Sequence, residues 1–114
     1  MEAIIIKIFE DWEKKLESDE WYFQNAYERI TDKLTSEEAY NTIPDIVNVL
    51  LRMENSFLIS ETIEILLGIY NISNTTEIHP YFKENKLKIE EHLHNFADHE
   101  AISLYNELKI FLRI

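Results

Sequence analysis

With 114 residues, 46% hydrophobic and 29% charged, the chain has the composition of one globular domain that can bury a core without staples. Its 22 acids against 11 bases leave a net charge of −11, a field that repels phosphate backbones and anionic lipid and argues against nucleic-acid and membrane partners. Absence of cysteine excludes disulfides and thiolate metal sites, and a single glycine excludes Gly-rich phosphate loops.

The opening stretch, MEAIIIKIFEDWEKK, has only Ala3 to Ile6 as an unbroken apolar run. That is too short for a signal-peptide core or for a membrane span of about 20 apolar residues. Without cysteine as well, the expectation is a cytoplasmic protein. Spacing predicts a first helix over 2–16, with Ile5, Ile8, Phe9, Trp12 and Leu16 on one face. ESDE interrupts it, and Asp19 is the expected N-cap of a second helix near 20–34. There Phe23, Ala26, Tyr27, Ile30 and Leu34 recur at helical steps. Thr35 and Ser36 make a turn, followed by a short helical turn through Glu37, Glu38 and Ala39.

Pro44 suits the first position of a third helix, about 43–54, because its missing N–H has no partner there anyway. Ile43, Ile46, Val47 and Leu50 are its expected core residues, with Leu51 or Met53. A fourth helix, about 57–72, is apolar nearly all round and belongs in the middle of the domain. NISNTT ends it with turn-forming residues. The fifth, about 78–96, has Pro80 in its first turn and Phe82, Ile89, Leu93 and Phe96 inward. Asp98 caps the sixth, about 98–113, with Ala101, Leu104, Tyr105, Leu108, Phe111 and Leu112 on the core. Neither period-two alternation nor a hairpin dipeptide is present, so the fold class is all-α.

A repeat runs through these elements. Pro44 and Pro80 open corresponding helices 36 residues apart, and the second-helix caps are expected at Asp19, Ser56 and Asp98. Two helices in roughly 40 residues is the rhythm of HEAT and armadillo arrays. The segment IPDIVNVLL (43–51), with the apolar helix after it, resembles one such unit, although the glycine-bearing turn usual in armadillo units is missing. The resemblance implies three stacked antiparallel helix pairs, over units 1–35, 36–74 and 75–114 of a single domain. An irregular six-helix bundle is the alternative.

In a stacked array the second helices of the pairs line one face. They leave Glu28 and Asp32, Glu61 and Glu64, and Glu100 and Glu107 outside, with Asn25, Asn71 and Asn106 between them. Tyr27, Tyr70 and Tyr105 lie nearby, and Trp21 is a candidate anchor at the first turn, where Trp12 reads as core. Such an acidic ladder suits a Lys- or Arg-rich protein surface. A second acidic group, Glu10, Asp11, Glu13, Glu17, Asp19 and Glu20, reads as a solvated face with Glu10–Lys14 and Asp11–Lys15 pairs. His92 and His94 lie about 200° apart round a helix axis and cannot share a metal. With His79 and His99 they read as exposed, and no metal or cofactor is expected. Gly68, inside the fourth helix, is expected at a close helix crossing, with a kink as the alternative reading.

No catalytic motif is present, so the expectation is a non-catalytic module that binds a basic protein. In size, charge and helix-pair organisation the chain is similar to the small acidic immunity proteins of bacterial polymorphic toxin systems. That likeness implies a toxin-neutralising role against a basic toxin domain. The competing expectation is a homodimer or other structural assembly using apolar end helices, the first with Ile4, Ile5, Ile6 and Ile8 and the last with Ile110, Leu112 and Ile114.

Overall fold

Start and stop signals place eight helices along the chain in a computed structural model that describes residues 1–114. They are α1 (Glu2–Phe9), α2 (Trp12–Ser18), α3 (Tyr22–Thr31), α4 (Ser36–Asn41), α5 (Ile43–Arg52), α6 (Ser56–Ser73), α7 (Pro80–Phe96) and α8 (His99–Leu112). No strand is present, as the sequence predicts. None of the helices is long and apolar enough to cross a membrane.

The count exceeds the expected six for local reasons. The predicted first helix is broken at Glu10 and Asp11, where Asp11 takes a left-handed conformation with φ 51°. The break turns Trp12 onto Phe57, with stacked rings 4.6 Å apart. The short turn after Thr35 becomes a full helix because it carries a capping box. Thr35 Oγ1 accepts from the Glu38 N–H at 3.1 Å, and the Glu38 carboxylate accepts from the Thr35 N–H at 3.0 Å.

Other caps differ from expectation by a residue or two. Asp19 accepts from the Trp21 N–H at 3.0 Å, shaping the turn before α3 rather than capping the helix itself. Asn55, not Ser56, caps α6 by accepting from the Leu58 N–H at 3.1 Å. Pro44 and Pro80 do open α5 and α7, and Asp98 does cap α8.

α6 occupies the middle, packed against α3, α4, α5 and α8. Ile59, Ile63, Leu66, Ile69 and Tyr70 are wholly buried on it, each contributing about 1.5–3 kcal/mol by leaving water. α5 lies between α1 and α7 and buries Ile43, Ile46, Val47, Val49 and Leu50. Val49, outside the expected set, is buried because neighbours cover a wider arc of α5 than one stripe. Phe96 departs in the other direction. Predicted inward, it sits in the last turn of α7 at 38% exposure, its ring against His92.

Gly68 is not at a close crossing. A Cβ built there meets nothing within 4 Å, so the helix passes open space at that point. Of the four histidines, His94 and His99 are exposed as expected, and His79 and His92 differ. His92 is half-buried, with Nε2 donating to the Met53 carbonyl at 2.6 Å. His79 caps α7, its Nδ1 accepting from the Tyr81 N–H at 3.0 Å. Burial holds His79 below the usual histidine range, against the opposing pull of Glu77.

Candidate functional site

The open space beside Gly68 is a groove of about 470 Å³ between α3 and α6. Helical spacing builds both walls. Phe23, Tyr27, Ile30 and Thr31 face it from α3, and Glu61, Ile65, Gly68 and Ile72 from α6. Glu28 and Glu64 complete the rim. Apolar side chains form the floor and carboxylates the edge.

One bond joins the walls. The Tyr27 hydroxyl donates to Glu61 Oε2 at 2.6 Å, between residues 34 positions apart. Burial, that hydrogen bond and the charges of Glu61 and Glu64 push the Tyr27 phenol far above its ordinary value, so it stays a donor. The Glu61 carboxyl is raised chiefly by burial, helped by Glu64 and Glu100, with the Tyr27 hydrogen bond opposing. Glu64 is raised by loss of hydration, then by the charges of Glu107 and Glu100. The α8 charges of Glu100 and Glu107 therefore act on the two α6 carboxyls, and Glu28 lines the same groove from α3.

The chain supplies no cation to this group. Its ion pairs join the terminal amine to Asp45, Arg52 to Glu2 and Lys86 to Glu90, all elsewhere. The carboxylates are also not gathered tightly enough to chelate a metal ion. Spread acids without a cation of their own are instead suited to several positive charges on a broad surface.

The other members of the expected ladder go elsewhere. Asp32 is exposed at the C-cap of α3, beyond the groove wall. Asn71 lines a separate depression with Asn74, Thr75 and Phe111. Asn106 and Asn25 are exposed away from the groove. Trp21 is 56% exposed at the start of α3, open to a partner but outside the groove lining.

Of the three tyrosines only Tyr27 serves the acidic group. The Tyr70 hydroxyl accepts from the His79 N–H at 3.0 Å and pins the connection into α7. Tyr105 donates to Glu90 at 2.9 Å, while Lys86 pairs with the same carboxylate at 2.8 Å. In the second acidic group the expected Glu10–Lys14 and Asp11–Lys15 ion pairs do not form, although the Lys15 N–H bonds the Asp11 carbonyl at 3.1 Å and keeps the four-residue step. Lys15 instead lies over the Tyr22 ring, 5.5 Å from its centre.

Sequence reasoning missed the groove itself. Its signal was the glycine: a residue with no side chain on a stripe of Glu61, Ile65 and Ile72 leaves a gap unless a neighbour fills it. A scan against family models finds no match for the chain, and no curated protein or solved structure matches it.

Proposed function

We propose that this chain is a non-catalytic binding module that engages a basic protein partner on the face formed by α3, α6 and α8. The observation that carries the reading is the unpaired carboxylate group: Glu28, Glu61, Glu64, Glu100 and Glu107 have no Lys or Arg within ion-pair distance. Like charges held together are unfavourable in the free protein, and a cationic surface relieves them on binding. The overall charge of −11 acts in the same direction at long range, steering a positive partner to the encounter.

Helix pairs stacked in the HEAT manner are the scaffold we propose for this face. In support, α5 has α1 and α7 at its sides, and α6 has α3 and α8. The shortest dimension of the molecule, 21 Å, matches two helix layers of about 10–12 Å each. A toxin-neutralising immunity protein acting in the cytoplasm is the specific form of module that the acidic, cysteine-free composition favours.

A titration with an amphipathic Leu–Lys peptide, set against the same pattern in Leu and Glu, tests the reading. The Lys peptide is expected to bind, and Glu28→Gln with Glu64→Gln and Glu107→Gln to weaken it at least about tenfold. Equal affinity of the triple variant removes the acidic face from consideration.

Exposed apolar residues favour a second reading, a homo-oligomer. Leu87 is 80% exposed on α7 and Ile110 77% on α8, more than solvation of those helices requires. Light scattering over a range of concentrations separates the two, since self-association through these residues would be lost in a Leu87→Glu, Ile110→Glu double variant.

A further inference from the structure

Gly68 has no structural reason to be glycine. Its φ is not positive, so the backbone there suits any L residue. Nothing crowds it, so close packing does not exclude a methyl group. Glycine inside an α-helix is among the least favourable choices, and alanine the most favourable. What glycine alone gives is depth, because any side chain there would project into the groove between α3 and α6.

The surroundings specify what could use that depth. Ile65 and Ile72 flank Gly68 on α6, and Ile30 faces them from α3, so the floor accepts methylene groups. Glu28, Glu61 and Glu64 ring the mouth, so the end of the occupant must be positive. Tyr27 holds the Glu61 carboxylate in place from the opposite wall. Long aliphatic side chains with a cationic tip combine both properties.

Resting on the acidic-face reading above, we infer that the groove is a side-chain pocket for a lysine or arginine of the basic partner. The methylenes lie over Gly68 between Ile65 and Ile72, and the charge sits among Glu28, Glu61 and Glu64. A second copy of this chain is a poor occupant, since a molecule of charge −11 is repelled at a rim that already carries Glu28, Glu61 and Glu64. A purely apolar or anionic occupant leaves the rim carboxylates unanswered. The volume of about 470 Å³ falls within the range of small-ligand sites, so a long side chain enters without displacing either helix.

The test uses hexylammonium ion as the probe, with hexanoate and hexanol in parallel, followed by amide chemical shifts of the whole chain. Hexylammonium is expected to give saturable, salt-sensitive shifts centred on Ile65, Gly68 and Ile72, and hexanoate none. Gly68→Leu is expected to abolish them while leaving the thermal unfolding cooperative. If that variant fails to fold, Glu28→Gln with Glu64→Gln is the second test, expected to weaken hexylammonium while leaving the weak response to hexanol unchanged. Equal shifts from hexanol and hexylammonium, shifts centred away from Gly68, or undiminished binding to Gly68→Leu overturn the pocket. Failure of the pocket is distinguishable from failure of the face: Leu–Lys peptide binding that survives Gly68→Leu but is lost in the Glu triple variant rejects only the pocket.

Discussion

Tyr27 and Glu61 show how much one bond between helices decides. The phenol and the carboxylate lie on different elements, and their 2.6 Å hydrogen bond satisfies a partly buried charge at the edge of the groove. Tyr27→Phe removes the donor and leaves the carboxylate dry, which should cost about 1.5–3 kcal/mol, measured by denaturant unfolding at neutral pH. Glu64→Gln should act in the opposite direction. Because Glu64 is held above the ordinary glutamate range, the folded chain binds more protons than the unfolded chain between those two values. Its contribution is therefore complete below the ordinary value and lost as pH rises through the raised one. Thermal unfolding should show Glu64→Gln more stable than the parent at neutral pH, with the difference vanishing near about pH 4. A gain that persists in acid would assign the effect to something other than charge. Tyr27 was legible in the sequence as a partly buried position on the stripe of the second helix and Glu61 as one left outside the fourth, but their pairing was not. Tyr70 and Tyr105 occupy equally plausible positions and serve His79 and Glu90 instead, because the choice depends on which helix lies opposite.

α6 carries the contrast between packing and opening within a single element. Leu66 is wholly buried, and Leu66→Ala should destabilise by about 2–5 kcal/mol through lost burial and a cavity. Two residues on, Gly68→Ala should stabilise by up to about 1 kcal/mol, because the added methyl meets nothing and the helix gains propensity. Chemical denaturation of the two variants should give shifts of opposite sign, and a destabilised Gly68→Ala would mean the space beside it is already filled. Asn55→Ala should lower stability by about 1 kcal/mol through loss of the bond to the Leu58 N–H. Helix positions were readable wherever a cap or proline met an apolar stripe, as at Pro44, Pro80 and Asp98. The break between α1 and α2 was not, because the gain that favours it is the stacking of Trp12 on Phe57, a partner remote in sequence.

On the scale of the whole molecule, charge and layer order work together. α6 places Glu61 and Glu64 between carboxylates of α3 and α8 because it has those helices at its sides. That much of the acidic face could be anticipated, since Glu28, Glu61, Glu64, Glu100 and Glu107 all fall outside the apolar stripes of neighbouring helices. Asp32, Asn71, Asn106 and Trp21 share that property and lie elsewhere, because the solvated arc of a helix is wider than the part facing any one groove. The most direct measurement is the association rate of the Leu–Lys peptide with the intact chain across a series of salt concentrations. If the unpaired carboxylates recognise a cationic partner, the rate falls steeply as salt rises, and the Glu28, Glu64 and Glu107 triple variant shows a slower and flatter dependence. A rate indifferent to salt, or the same slope in the triple variant, would contradict the account.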